Sequence, residues 1–314
     1  MMIFLDFEKP VAALEARILE LQAAAQESDI DADVEIAKLR GKADKQLADT
    51  YANLTAWQKT QVARHPERPH FKHYIASMFE DFMPLAGDRA FGDDQAIIGG
   101  LARLHGRRVM VIGHEKGDDT QSRIRHNFGM GKPEGYRKAI RLMELADRFG
   151  IPVVSLVDTS GAFPGIQAEE RGQAEAIARS TEACLALGVP MIACIVGEGG
   201  SGGAVALAAA DRILMFQYAV YSVISPEGCA SILWRTGDKA ADAAQAMKMT
   251  ADDLKSLRII DRIVKEPVGG AHRDHALAAA TLASAIHEEL EALSAFSAKE
   301  LVQQRRTKFL SMGA

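Results

Sequence analysis

Apolar positions recur at intervals of three and four from Val11 through Leu14, Ile18 and Leu21. They do so again from Ile36 through Leu39, Ala43, Leu47, Tyr51 and Leu54, after a polar break at Glu27 to Asp31. That spacing is the α-helical period, so each set lays one apolar stripe along a helix. Residues 1–64 are therefore expected to form an N-terminal helical segment, with a hairpin from Val11 to about Leu54 whose stripes cover either the main domain or a second chain. The following stretch, ARHPERPHFKHY, carries two prolines and three histidines. His65, His70 and His73 do not have the spacing of two metal ligands one helical turn apart, so the segment reads as a surface linker and marks a domain boundary at 65.

From Ala96 onward the pattern changes to short apolar runs alternating with helical ones. Strands are expected over Ile97–Arg103 and Val109–Gly113, joined by a turn at His105-Gly106. Pro133 and Gly150 then delimit a helix. A strand at Ile151–Val157 ends at Asp158 and passes through Gly161, Pro164 and Gly165 into a helix whose first turn carries Glu169 and Glu170, where acidic groups suit the helix dipole. The run Val189–Val196 repeats the arrangement, with a glycine-rich turn leading to an Ala-rich helix that ends at Asp211. Further strands are read at Arg212–Phe216 and Ile259–Val264, separated by Ala-rich helices, the last of them capped by Thr250 with Asp253. Two more helices run from Ala276 to the end, and residues 291–314 form a helical tail. Strand, glycine loop and helix in succession imply parallel strands with right-handed crossovers, which place ligands at the strands' C-terminal ends.

Composition narrows the class of function. Of 314 residues, 48% are hydrophobic and 25% charged, which is ordinary globular usage, and the formal net charge of −5 argues against nucleic acid or an anionic membrane as the main partner. Cys184, Cys194 and Cys229 are scattered, which gives neither a disulfide frame nor a zinc site and fits a cytoplasmic protein. No apolar run is long enough to span a bilayer, and Asp6 and Glu8 interrupt any signal-like start.

The chemistry concentrates at Gly197, Gly199, Gly200, Gly202 and Gly203. Glycine lets backbone approach a ligand closely, and the amides that open a helix carry partial positive charge, so the stretch reads as an anion hole. Tight strand–helix packing is the alternative, though it needs one or two glycines rather than five. Three further matches compete. Gly199-Gly200-Ser201-Gly202-Gly203 has the form G-x-S-x-G, but a nucleophilic Ser201 needs a histidine base, and histidine is absent from Asn127 through Ala271. Ala246-Met247-Lys248-Met249 matches the tetrapeptide around biotinylated lysines, yet it sits among alanines rather than on the hairpin of a small β-domain. Glu169, Glu170, Glu198 and Glu227 are candidate acid/bases for a hydratase acting on acyl-coenzyme A. The most basic stretch, which includes Arg137 and Lys138, is either a solvated helix face or a contact for phosphates or an acidic carrier.

GEGGSGGA at 197–204, AEERGQAEAIAR at 168–179, NFGM with PEGYRKA at 127–139, and YSVISPEGCASILW at 221–234 together resemble the α subunit family of bacterial acetyl-coenzyme A carboxylase carboxyltransferases. The likeness extends from LDFEKP near the start to GGAHRD at 269–274. It implies an α/β, crotonase/ClpP-like spiral of ββα units over 65–290, with the N-terminal helical hairpin and C-terminal helices added. It further implies a cytoplasmic α2β2 complex with a zinc-containing β subunit, served by a biotin carboxyl carrier protein and a biotin carboxylase. That complex moves a carboxyl group from carboxybiotin on the carrier to acetyl-coenzyme A, giving malonyl-coenzyme A for fatty acid synthesis, with no metal on this chain.

By family position, the resemblance assigns Gly202 and Gly203 to the biotin oxyanion, with Gly199 and Gly200 as the alternative pair. Gly161, Ala162, Phe163, Glu198, Ser201 and Ala204 fall around the substrate. Biotin itself can serve as base once the carboxyl has left, so no side-chain carboxylate is required, although Glu198 is placed to assist. Two positions depart from the family pattern: Ser160 stands where Asp-Thr-Pro-Gly has proline, and Gly131 stands where proline is common, which frees the loop lip.

Overall fold

In a computed structural model the described residues are 3–28 and 32–313. The chain opens with α1 (Lys9–Ser28) and α2 (Asp33–Ala52), followed by α3 (Ala56–Ala63) and α4 (Phe71–Met78). As the periodicity predicts, α1 and α2 pack on each other, with Val11, Leu47 and Tyr51 meeting Val62 and Tyr218 in a small cluster of their own. Of the polar break read between them, residues 29–31 lie outside the described residues.

Next come β1 (Glu80–Pro84), β2 (Ile97–Leu104), β3 (Arg107–His114), α5 (Thr120–Arg125) and α6 (Pro133–Arg148). They are followed by β4 (Val153–Thr159), α7 (Ile166–Glu170), α8 (Gln173–Ala186), β5 (Met191–Gly200), α9 (Ser201–Ala208), β6 (Arg212–Phe216) and β7 (Val220–Ser222). The chain ends with α10 (Pro226–Trp234), α11 (Ala240–Ala246), α12 (Ala251–Ser256), β8 (Arg262–Val264), α13 (His275–Leu293) and α14 (Ala298–Leu310).

The strands form one sheet in the order β1-β2-β3-β4-β5-β6-β8, with β7 added to the far end of β5. β1, β2 and β3 pair antiparallel, and β2 turns into β3 through His105 and Gly106, both at positive φ as a two-residue hairpin requires. From β3 onward all neighbours are parallel. Every residue of β4 and β5 is buried, which is why their sequences read as continuous apolar runs rather than alternating ones. Burying each Val, Leu or Ile of these strands contributes about 1.5–3 kcal/mol.

Two expectations need correction. Strand β5 does not end at Val196. It continues through Gly197 to Gly200 and passes directly into α9, because β7 pairs with Glu198, Gly199 and Gly200 and keeps them extended. Nor is the segment after α3 a surface linker. Arg68 is 2% exposed, donates to the Val196 carbonyl at 2.7 Å, and forks onto Glu266 with two bonds of 2.8 Å. His65 is also buried, its ring stacked on His272 at 3.8 Å. The segment is an internal strut joining the N-terminal helices to the strand that carries the glycines. Among the described residues no group of three or more His, Cys, Asp or Glu is arranged to hold a metal ion, and no helix is long and apolar enough to cross a membrane.

His114, at the end of β3, is buried and has no hydrogen-bond partner for either ring nitrogen. Burial lowers its pKa to about 4, only partly opposed by Asp158, so the fold holds the ring neutral. A folded-state pKa below the unfolded one gives stability that is complete above pH 6.5 and lost as pH falls through 4. Asp94 acts in the opposite sense: burial raises it to about 6, so its contribution disappears as pH rises from 3.8 through 6. The difference between the native chain and His114→Phe isolates the histidine. The variant is expected to lose less melting temperature than the native chain between pH 6.5 and 4. Parallel curves would show that His114 does not titrate on unfolding.

Candidate functional site at the β5–α9 bend

The change from strand to helix is made at Ser201, whose φ is 53°. A side chain in the left-handed region costs roughly 1–2 kcal/mol, and it lets Gly200 cap α9 with extended backbone. Ser201, Gly202 and Gly203 then occupy the first three positions of α9, where amides have no acceptor within the helix. Gly199 and Gly200 are engaged differently. They lie in the ladder, Gly199 opposite Tyr221 on one side and Thr159 on the other.

Most of the glycines also have a packing reason. A Cβ on Gly200 would stand 2.3 Å from the Ser160 carbonyl, one on Gly203 would stand 2.7 Å from the Gly161 carbonyl carbon, and one on Gly197 would stand 2.4 Å from Asp158 Oδ1. At Gly202 the nearest atom is Cγ2 of Ile177, at 3.3 Å. Packing and amide presentation are therefore not competing explanations, since close approach of the β4 loop is what sets residues 160–162 against the first turn of α9. That loop is held from both sides. Thr159 Oγ1 accepts from the Gly161 amide and donates to its carbonyl. The Gly131 carbonyl accepts from the Phe163 amide and from Gln173 Nε2, both at 2.9 Å. Glycine at 131, which is expected to free the lip, thus has its carbonyl held by two donors.

A cavity of about 340 Å³ opens beside the bend, lined by Ser201, Gly202, Val205, Tyr221, Val223 and Lys248 among others. Neither a carboxylate nor a histidine lines it. Ala204 is buried behind the first turn, while Ala162 and Phe163 are half-buried on the facing loop. Lys248 lies just past α11 on a left-handed turn at the rim, with φ 53°, so the surrounding alanines are helical but the lysine is not.

The candidate acids are tied elsewhere. Arg64 at the end of α3 donates to Glu198 Oε1 through Nε and Nη2, at 3.0 and 2.6 Å, and to Glu227 Oε1 through Nη1 at 2.6 Å. Burial would raise the Glu227 pKa, but the Arg64 hydrogen bond outweighs it and holds the carboxyl below its ordinary range. The Glu198 amide donates to Asp158 Oδ1, which also receives Lys116 at 2.5 Å. Asp158 is fully buried; desolvation would raise its pKa, but Lys116 and His70 outweigh that and keep it well below the carboxylate range. Arg64, Lys116 and Asp158 form an ionic frame around the bend that sequence reasoning missed. Glu169 and Glu170 remain exposed on α7.

Arg137 and Lys138 are committed to the loop before β2. Arg137 donates to Asp88 at 2.8 Å and to the Arg171 carbonyl, and buried Lys138 donates to Asp93 and to the Asp94 carbonyl. Neither lines the cavity at the bend.

The family model described as "Acetyl co-enzyme A carboxylase carboxyltransferase-like" matches residues 4–313. The chain belongs to this family. Over 313 residues it is 73% identical to the acetyl-coenzyme A carboxylase carboxyl transferase subunit alpha of Rhizorhabdus wittichii, covering all of both chains. It is 67% identical to the subunit of the same name from Zymomonas mobilis, again over the whole of each. Among solved structures, transcarboxylase 12S superposes with a TM-score of 0.55 and 22% identity, covering 69% of this chain and 42% of that one. A Pseudomonas malonate decarboxylase hetero-tetramer chain superposes with a TM-score of 0.56 and 17% identity, covering 68% and 86%. At those identities the structures speak for the fold alone, and they bear out the crotonase-like carboxyltransferase architecture.

The G-x-S-x-G match gives a clean test, since Ser201 faces a cavity without histidine. Ser201→Ala is expected to reduce carboxyl transfer by less than about 10-fold, the scale of one neutral hydrogen bond. Complete loss would reinstate a serine nucleophile.

Proposed function

We propose that this chain is the α subunit of an acetyl-coenzyme A carboxylase carboxyltransferase, and that it supplies the biotin side of a site completed by a β subunit. In this reading carboxybiotin arrives on a separate biotin carboxyl carrier protein, charged by a biotin carboxylase, and acetyl-coenzyme A receives the carboxyl group. The assembly is an α2β2 complex in the cytoplasm, with zinc on the β chain and no metal on this one.

The observation that carries the reading is the set of helix-opening amides at Gly202, which lines the cavity, and at Gly203, buried behind it, beside a cavity whose lining offers neither a carboxylate nor a histidine. Such a surface can do one thing well, which is to stabilise negative charge on an oxygen held at its amides. Loss of a carboxyl group from the ureido nitrogen of biotin puts charge on the adjacent oxygen, so donors fixed in advance lower that barrier; each is worth about 3–4 kcal/mol in comparable holes. Gly202 and Gly203 are preferred to Gly199 and Gly200 because the latter pair lies in the β-ladder. Gly202 lines the cavity, while the backbone of Gly161 and Ala162 packs against Gly203 behind it and, with Phe163, does not line the cavity. The hydratase alternative requires a carboxylate over the bound thioester. Arg64 holds both Glu198 and Glu227 away from that role, and Glu198 serves to position the bend.

The decisive experiment is co-purification with a zinc-containing β chain, followed by malonyl-coenzyme A decarboxylation with free biotin as acceptor. Activity only in the assembled complex supports the reading. Hydration of an unsaturated acyl-coenzyme A by the isolated chain would replace it.

A further inference from the structure

A second cavity, of about 230 Å³, lies beside the β4 loop, and its lining includes His70, Lys116, Arg123, Phe128, Asp158 and Ser160. The charges there do not all cancel within the protein. Lys116 is spent on Asp158, and Arg64, also in the lining, is spent on Glu198 and Glu227. Arg123 spends only its Nε, on the Gly117 carbonyl at 3.3 Å, which leaves both terminal nitrogens of the guanidinium without a partner among the described residues. His70 is more than nine-tenths buried, yet neither ring nitrogen has a hydrogen-bond partner; its closest charged neighbour, Asp158 Oδ2, is 3.6 Å away. Ser160, where the family pattern has proline, adds an exposed hydroxyl.

We infer that this cavity binds a phosphate-type oxyanion, held by the Arg123 guanidinium, the His70 ring and the Ser160 hydroxyl. A guanidinium presents paired donors that match such a group, and a buried imidazole whose Nδ1 has only a long 3.6 Å contact to Asp158 and whose Nε2 has no hydrogen bond has room for the bond an oxygen ligand would provide. Phe128 shows what else the ligand carries. It stands at the lip, half exposed, on a turn where Asn127, Phe128 and Gly129 all have positive φ, at 46°, 55° and 79°. Gly129 lets that turn sit against Lys116 and the Asp158 carbonyl. An aromatic face fixed beside a cationic pocket suits a base next to a phosphate. The phosphate source is then the nucleotide end of the thioester substrate, an extension that rests on the proposed function; the oxyanion site itself does not.

The test measures binding to the full-length chain by calorimetry without turnover, using inorganic phosphate and adenosine 3′,5′-bisphosphate as probes. Saturable binding of at least one probe, weakened about 10-fold or more by Arg123→Gln and not by Arg125→Gln, is expected, on the scale of one charged hydrogen bond. Arg123→Lys should recover part of the loss. Circular dichroism and melting curves establish that each variant is folded. Tighter binding of the bisphosphate, with the advantage removed by Phe128→Ala, supports the nucleotide as source; equal affinity for both probes supports a free oxyanion in the same site. Absence of saturable binding by either probe, or an unchanged affinity in Arg123→Gln, overturns the inference. Since no turnover is read, inactivity of the assembled enzyme and failure of this site are separate outcomes.

Discussion

Gly203→Val is expected to fold and pair with the β subunit but to transfer carboxyl groups about 10²- to 10³-fold more slowly, the cost of removing one oxyanion donor. A Cβ at 203 would lie 2.7 Å from the Gly161 carbonyl carbon and 2.8 Å from the Ala162 nitrogen. Both are backbone atoms, so no rotamer change relieves the contact. The Ser160–Ala162 loop has to move off the first turn of α9, and the amides that depend on that contact turn with it. Gly202→Ala is the informative companion. Its new methyl meets a side chain, Ile177, at 3.3 Å, so the fold absorbs it and any loss reports on the cavity wall. Malonyl-coenzyme A decarboxylation with biotin, run beside melting curves, separates the effects. If Gly203→Val kept full activity in an assembled complex, the chain would be a scaffold for its partner and the oxyanion assignment would be wrong.

The second large effect is on stability. Arg305 on α14 is 1% exposed and donates to both oxygens of Asp211, at 3.0 and 2.7 Å, and to the carbonyls of Cys184 and Leu187, each at 2.8 Å. Asp211 also accepts from the Met191 amide at the start of β5. One guanidinium thus fastens the last helix to the connection between α8 and β5. Arg305→Ala strands a buried carboxylate and leaves carbonyls without donors, which costs about 3–5 kcal/mol. Urea denaturation should show a lower midpoint with an unchanged slope. The double variant with Asp211→Ala should recover part of the loss, because it removes the stranded charge. A loss under about 1 kcal/mol would mean that water, not Arg305, satisfies those groups.

The architecture was largely legible because it rests on short-range patterns. Continuous apolar runs announced the buried parallel strands, and the stripes beginning at Val11 and Ile36 announced the hairpin of α1 and α2. The glycines located the bend, and residues at 127–139, 168–179 and 221–234 supplied the family. What the sequence did not disclose was the ionic frame. Arg64 and Arg68 sit in a proline- and histidine-rich stretch that looks solvated, and only carboxylates far along the chain, Glu198, Glu227 and Glu266, make their burial affordable. The same distance hid the restraint on Glu198, which by composition looked like a free acid. Strand β5 was read too short because glycine weakens strand propensity, whereas its pairing with β7 decides the matter.

The strut formed by Arg68 has a bearing on how the protein is made. Its acceptors, the Val196 carbonyl and the Glu266 carboxylate, lie 128 and 198 residues further along. During synthesis the arginine leaves the ribosome long before either, so the early helices cannot be fastened to the strand that bears the glycines until that strand has itself emerged. Contacts of such sequence separation form slowly. The Arg68 fork is therefore completed late, and a chain cut short before Glu266 would keep the Arg64 pairs with Glu198 and Glu227 and the Arg68 bond to Val196 but lack the carboxylate that neutralises the buried Arg68 guanidinium.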